Sequence, residues 1–192
     1  LYKDEHEKVQ FPYPNLRGLH QVSNACTAIA AIKNLKKYNI KNEHIIKGLT
    51  SVNLKGRLEV VDKGILKSLA PTNKIIFDIA SNPNAASAIS KYLNTLDKNK
   101  KIYCVVGMLN NKIHDKFFYE LAQANISKIL TIDIPSNQNF IKKEKLKTII
   151  EKIGLKAESK NSIEDAIKYI SKVDPKSIIL ITGSIYLSSE VF

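Results

Sequence analysis

The spacing of apolar residues changes partway along the chain. In the first part, Ala25, Ile29 and Ile32 recur near the helical period. This spacing predicts a helix over residues 20–38, followed by a shorter helix over 41–50. The charged and proline-containing segment that precedes both helices reads as extended chain and predicts one strand.

From residue 58 onward, short apolar runs alternate with amphipathic stretches. The runs predict six strands, at residues 58–62, 74–80, 101–109, 128–134, 156–160 and 177–185. Between them lie predicted helices at about 84–97, 114–125, 140–153 and 161–172. Strands that are almost continuously apolar and separated by helices indicate a mostly parallel sheet covered on both faces. The first run is the least hydrophobic and fits an edge strand. We therefore predict an α/β fold with a Rossmann-like, six-stranded sheet.

Small and polar residues follow the predicted strands at their carboxyl ends. They are Asp78 and Ser81, then residues 107–110, 133–136 and 182–184. Each group alone reads as a polar turn that closes a strand. Taken together they predict a binding cleft, because ligands of open α/β sheets bind outside the carboxyl ends of the strands.

The formal net charge of +12 does not change this picture. Among 30 basic residues only Arg17 and Arg57 are arginine, whereas nucleic-acid surfaces favour arginine and exposed aromatic residues. We therefore expect no nucleic-acid partner, and no apolar run approaches the roughly 20 residues that span a bilayer. Cys26 and Cys104 lie in apolar contexts, which suggests a reducing compartment and a cytoplasmic protein. The histidines, His6 among them, have no zinc-ligand spacing with either cysteine.

Phosphate-binding motifs are absent from the 192 residues. No Gly-x-Gly-x-x-Gly follows the first strand, and none of the seven glycines belongs to a Walker A motif. The residues by themselves predict a nucleotide- or small-anion-binding domain that lacks the part needed to drive catalysis.

Four stretches occur in a fixed order: LRGLHQVSNACTAIAA (16–31), LKGRLEVV (54–61), DIASNPNAA (78–86) and ITGSIYLSSEV (181–191). With them the sequence resembles the carboxyl-terminal part of the folylpolyglutamate synthase/dihydrofolate synthase family, which is related to the Mur ligases. The resemblance covers essentially the whole chain. It implies three segments, namely the end of the central ATPase domain (1–50), a linker (51–57) and the carboxyl-terminal ligase domain (58–192).

The resemblance also implies an ATP-dependent amide ligase that joins L-glutamate to a folate or to dihydropteroate. Gln21 and Asn24 match family amides that face the adenine of ATP. Arg57 matches a linker arginine that reaches the phosphates and acts in catalysis, and Asp78 matches an aspartate that accepts hydrogen bonds from the ribose. Ser184 matches a serine near the glutamate site. Tyr186 follows it in the same motif, where a role in core packing stays open.

Two departures from the family pattern matter. Where the family has Asp-x-Ala-His-Asn-Pro, this chain has Ser81 in place of histidine. A serine hydroxyl carries no charge near neutral pH, so the substitution predicts weaker glutamate capture. The family's P-loop and Mg²⁺ ligands lie in an amino-terminal ATPase domain, which predicts that these 192 residues alone have no ligase activity and have that ATPase half as a partner. The alternative is a degenerate nucleotide-binding or interaction module.

Overall fold

The computed structural model describes residues 1–5, 7–35 and 37–192. These residues form two compact units, Leu1–Lys55 and Gly56–Phe192. Each unit has a hydrophobic core of its own. The boundary between the units lies within the segment 51–57 that the sequence predicts as a linker.

The first unit contains two very short strands and two helices. The elements are β1 (Tyr2–Lys3), β2 (Lys8–Val9), α1 (His20–Lys33) and α2 (Asn42–Ser51). β1 and β2 pair antiparallel, so the predicted single strand is a small hairpin. The first helix ends before residue 38 because the Asn34 side chain donates to the carbonyl oxygen of Ala30 at 2.9 Å and closes the last turn. Lys36, within the predicted helix, lies outside the described residues.

The second unit is built on one sheet. Its strands are β3 (Glu59–Val61), β4 (Lys74–Phe77), β5 (Ile102–Val106), β6 (Ile126–Thr131), β7 (Ala157–Ser159) and β8 (Ile178–Thr182). In residues 56–192, all of which are described, these six strands lie in the order β3-β4-β8-β5-β6-β7. β3 is an edge strand and pairs antiparallel with β4, and the other neighbours are parallel. The predicted mostly parallel α/β sheet is confirmed.

Helices cover both faces of this sheet. They are α3 (Ile65–Leu69), α4 (Pro83–Leu93), α5 (His114–Leu121), α6 (Lys143–Lys152), α7 (Ile163–Val173) and α8 (Ser188–Val191), with a 3₁₀ turn at Ile185–Leu187. One core contains Cys104 and Val106 with α4, α5 and α6. Tyr103 and Val105 belong to the other core, with α3, α7 and α8. Successive residues of β5 thus point to opposite faces, as a strand requires.

The structure differs from the predictions at several boundaries. The last strand ends at Thr182 rather than at residue 185, because Gly183 turns the chain into the 3₁₀ segment. The short helices α3 and α8 have too few residues to show a helical period and were not predicted. α4 begins at Pro83, since Asn82 caps it by accepting a hydrogen bond from the Ala85 N–H at 2.9 Å.

Candidate functional site

Asp78 lies at the carboxyl edge of the sheet, directly after β4, which is the second strand from one side. Its side chain is only 5% exposed. One carboxylate oxygen, Oδ2, accepts a hydrogen bond from the Leu58 N–H at 2.9 Å, and Oδ1 accepts from the Ala80 N–H at 2.8 Å. Asp78 therefore fastens the start of the unit, where Arg57 lies, to the end of β4.

A tight turn over residues 56–59 carries Arg57. The Gly56 N–H donates to Oε2 of Glu59 at 2.8 Å, and the Ile79 N–H donates to the Gly56 carbonyl oxygen at 3.0 Å. Gly56 has φ +68°, and a Cβ there would lie 2.4 Å from Cγ2 of Ile79. Leu58 also has a positive φ, of 47°, and its side chain is fully buried. Because the backbone is held on both sides, the turn has a defined conformation.

Arg57 projects from this turn as an exposed side chain between two buried residues, Gly56 and Leu58. Among the described residues it forms no ion pair. A guanidinium offers five donors in a planar fork and matches phosphate oxygens well. The turn thus presents an available cation on a fixed backbone.

The segment after Asp78 is tied to the end of β8. The Gly183 N–H donates to the Ala80 carbonyl oxygen at 3.0 Å, and the Thr182 hydroxyl donates to the same oxygen at 3.4 Å. Ser81, half-buried, follows Ala80 and precedes the capping residue of α4. Ser81 therefore lies between Asp78 and the amino terminus of a helix, a place that favours negative charge.

Ser184 begins the 3₁₀ turn after β8 and is 3% exposed. Its Oγ accepts a hydrogen bond from the Tyr186 N–H at 3.3 Å, and the O–H is left to donate. Gly183 has φ +110°, and a Cβ there would lie 2.4 Å from the Gly107 carbonyl oxygen. Two neighbouring strand ends, those of β8 and β5, meet here without room for a side chain.

Tyr186 is 42% exposed, so its ring is not part of the buried core. Its carbonyl oxygen accepts a hydrogen bond from the Ser136 hydroxyl at 3.1 Å. The Gly107 N–H donates to the Thr182 carbonyl oxygen at 3.4 Å. These bonds link the strand ends at 107, 136 and 182–186 into one edge, as the sequence pattern indicates.

Gln21 and Asn24 belong to the first unit, on α1. Gln21 is 6% exposed and its Oε1 accepts a hydrogen bond from the Asn24 amide at 3.1 Å. The Gln21 amide nitrogen lies 2.9 Å from Nε2 of His20. The two amides therefore form a local pair one helical turn apart, and Asn24 is exposed. Arg57, Asp78, Ser81 and Ser184 all belong to the second unit.

Glu59 and Leu58 contribute to this site although sequence reasoning gave them no role. Glu59 closes the turn through Gly56, and Leu58 supplies the N–H that Asp78 holds. The signal for Glu59 was its place in the stretch LKGRLEVV. The Leu58 N–H gave no signal, because a backbone donor looks the same at every residue.

The side chains of Arg57 and Asp78 offer donor and acceptor groups that suit an anionic organic ligand. No group of three histidine, cysteine or carboxylate residues in the described chain is placed to hold a metal ion, and His6 lies outside it. The carboxylate of Asp78 is a hydrogen-bond acceptor, the type of group that hydroxyls of a ligand donate to. The guanidinium of Arg57 offers hydrogen-bond donors for the charged groups of such a ligand.

Cys104 takes no part in this chemistry. Its side chain is fully buried in β5, and burial raises the pKa of the thiol well above its usual value. The thiol therefore stays protonated and is not a nucleophile. In the described part of the chain, no helix is both long and apolar enough for a bilayer crossing.

Comparison with known proteins identifies a family for this chain. A family model described as Mur ligase, glutamate ligase domain, matches residues 56–185. The chain is 29% identical over 187 residues to the dihydrofolate synthase/folylpolyglutamate synthase of Haemophilus influenzae, covering 88% of this chain and 41% of that protein. It is 27% identical over 195 residues to the protein of the same name from Bacillus subtilis, covering 99% and 42%. The chain spans less than half the length of these relatives.

Solved structures share the fold. Mycobacterium tuberculosis folylpolyglutamate synthase complexed with ADP and AMPPCP matches with a TM-score of 0.76 at 23% identity, over 91% of this chain and 39% of that one. Escherichia coli FolC in complex with DHPP and ADP matches with a TM-score of 0.79 at 22% identity, over 98% and 42%. At this identity the likeness shows the arrangement of helices and strands.

Proposed function

The chain belongs to the Mur ligase family, glutamate ligase domain, and on this premise we propose that it is the carboxyl-terminal portion of an ATP-dependent ligase. The reaction we propose adds L-glutamate to folates, to dihydropteroate, or to both. Support comes from the curated relatives, which are named for these two activities. These likenesses do not favour the alternative of a degenerate binding module.

The proposal assigns the chain to three segments of the ligase. Residues 1–50 are the end of an ATPase domain, 51–57 are the linker, and 58–192 are the ligase domain. The first unit supports this, since its core contains just three buried hydrophobic residues in the described chain. It also has a cavity of about 160 Å³ near the exposed Tyr13. The partner is the rest of the ATPase domain, which supplies the P-loop and the Mg²⁺ ligands.

The proposed reaction has two steps. A carboxylate of the folate or pteroate attacks the γ-phosphorus of ATP, so that ADP leaves and an acyl phosphate forms. The amine of glutamate then attacks the acyl carbon, inorganic phosphate leaves, and the amine gives up a proton. The phosphoryl oxygens gain charge density in the first step, which a fixed cation stabilises.

In this proposal Arg57 is the catalytic residue of the chain. Its guanidinium donates to phosphate oxygens of ATP, and the turn held by Asp78 and Glu59 sets its direction. Asp78 accepts hydrogen bonds from the ribose hydroxyls with the same carboxylate that the Leu58 and Ala80 N–H groups bind. A single buried carboxylate thus serves both the ligand and the residue that binds its phosphates.

The remaining residues have supporting roles in the proposal. We assign Gln21 and Asn24 to the adenine. Their amides offer the donor and the acceptor that an adenine edge needs. The Ser184 hydroxyl donates to glutamate. Ser81 stands at the position of the family histidine and supplies a shorter, uncharged group. We place the protein in the cytoplasm, since Cys26 and Cys104 are free thiols.

The observation that carries the proposal is the turn that presents Arg57 beside Asp78. Titration calorimetry of the 192-residue chain with ATP tests it. Loss of a charge-assisted contact in Arg57→Ala costs about 1.5–3 kcal/mol, or roughly 10- to 150-fold in affinity. Arg57→Lys recovers a part of this loss, and Lys63→Ala, an exposed residue beyond β3, binds as the wild type does. Equal affinity in Arg57→Ala and the wild type contradicts the proposal.

A further inference from the structure

The amino edge of the sheet holds a cavity, at the opposite end of the strands from Asp78. It has a volume of about 360 Å³, which falls in the range of small-molecule sites. Lys101 immediately precedes β5, Lys128 lies near the start of β6, and Lys156 immediately precedes β7. The three lysines line the cavity together with Ser127, Tyr103 and Tyr169.

The charges around this cavity are predominantly positive. Oxygens of Glu158 accept hydrogen bonds from Lys128, at 3.1 Å, and from Lys160. Lys160 also lies 3.8 Å from the centre of the Tyr169 ring. Glu158 is therefore already neutralised by two lysines. Lys101 and Lys156 are exposed and form no ion pair among the described residues, so their charges are available.

Tyr103 adds a hydroxyl group to the lysines around this cavity. Its side chain is 94% buried, since 6% is exposed, and its ring belongs to the core on the α7 side. Tyr103 lines the cavity, and its hydroxyl forms no hydrogen bond within the described part of the chain. A hydroxyl fixed at the cavity wall without a protein partner is a donor available to a bound oxygen.

From this arrangement we infer that the amino edge of the sheet is a binding site for a small oxyanion, either a phosphoryl or a carboxylate compound. The groups available to a ligand are ammonium and hydroxyl donors, which match the acceptor oxygens of such a compound. The negative charge of Asp174 also acts on Tyr103. The carboxylates here are therefore Glu158 and Asp174, and they are outnumbered by Lys101, Lys128, Lys156 and Lys160. The site is separate from the carboxyl edge and does not rest on the proposed ligase activity.

Two-dimensional NMR of the ¹⁵N-labelled chain tests this site. Sodium pyrophosphate and sodium citrate are added separately, with sodium chloride adjusted to hold the ionic strength constant. We expect saturable shifts at the backbone amides of Tyr103, Ser127 and Lys128 with at least one of the two probes, and the probe that saturates identifies the chemical class. The titration is repeated in Arg57→Ala, where these shifts persist because they do not arise at the carboxyl edge.

Variants separate a built site from diffuse attraction to lysines. Tyr103→Phe keeps the ring and removes the hydroxyl, and Lys156→Ala removes one charge. Each weakens binding roughly fivefold, whereas Lys116→Ala, an exposed lysine on α5, leaves it unchanged. Shifts that rise linearly with both probes, or equal affinity in Tyr103→Phe, Lys156→Ala and the wild type, overturn the inference.

Discussion

The carboxylate of Asp78 accepts a hydrogen bond from the backbone N–H of Leu58, 20 residues earlier in the chain, at 2.9 Å. This bond and the one from the Ala80 N–H hold the turn that carries Arg57 against the end of β4. Asp78 is also the residue that we propose binds ribose. The prediction that Asp78 binds ribose stays a prediction. The structural role is independent of any ligand, and the two roles can be measured separately.

Asp78→Asn should destabilise the chain. The amide places an NH₂ group against one of two backbone N–H donors, so a buried donor loses its acceptor. We expect a loss of about 1–3 kcal/mol in the free energy of unfolding, measured by urea denaturation followed by circular dichroism. Asp62→Asn changes an exposed carboxylate just after β3 and should shift stability by less than about 0.5 kcal/mol. Equal stability of the two variants would show that the bonds to Asp78 are unimportant.

Gly56→Ala should be more damaging than an ordinary glycine substitution. Its Cβ would lie 2.4 Å from Cγ2 of Ile79, and φ is +68°. Strain and steric overlap together should cost roughly 2–4 kcal/mol. Gly64→Ala is the matched control, because it has φ +85° and nothing within 4 Å of the added Cβ, and should lose only about 1–2 kcal/mol. A smaller loss in Gly56→Ala than in Gly64→Ala would mean that the turn is loose.

Stability should fall in acid partly through Glu158. Hydrogen bonds from Lys160 and Lys128 hold the pKa of its carboxyl below the ordinary value of 4.5. Since the folded chain binds this proton less readily than the unfolded chain, the contribution is complete above about pH 4.5. It is lost as the pH falls through the lower folded value.

Urea denaturation between pH 6 and pH 3 measures this contribution. Glu158→Gln should lose less stability than the wild type over the same pH range. The difference should shrink in high salt, since Glu158 is 38% exposed and screened by solvent. Parallel stability curves for the two proteins would rule out the linkage.

Ser81→His should strengthen the capture of glutamate if the proposed function is correct. The imidazole restores a group that carries a proton or a positive charge, which a hydroxyl does not. Binding of L-glutamate, measured by NMR titration, should become at least about threefold tighter, with Ser81→Ala as the control of similar size to serine. No gain in Ser81→His over Ser81→Ala would exclude Ser81 from the glutamate site.

The sheet was predictable from the sequence because its strands are continuous apolar runs. The weakly apolar run at 58–62 indicated an edge, and β3 is an edge strand. The position of β8 between β4 and β5 was not predictable, since the residues of a parallel strand carry no mark of which neighbour they pair with. The order of strands depends on packing across the whole sheet.

The polar residues of the candidate site were predictable from the sequence, but the hydrogen bonds that they form were not. Asp78 and Ser184 stood out as polar groups that follow apolar strands. The partners of Asp78 are backbone N–H groups, one of them distant in sequence, and no residue pattern marks such donors. The amino-edge cavity was missed for a similar reason, since Tyr103 reads as one more apolar position in a buried strand.

The most direct test of the central claim is where ATP binds on this chain. Two-dimensional ¹H–¹⁵N spectra of the labelled 192-residue chain are recorded with increasing ATP at constant ionic strength. The account predicts that the largest shifts occur at the backbone amides of Gly56, Leu58, Ile79 and Ala80, and that Arg57→Ala abolishes them at the same ATP concentration. Saturable shifts elsewhere, with these four amides unchanged, would contradict it.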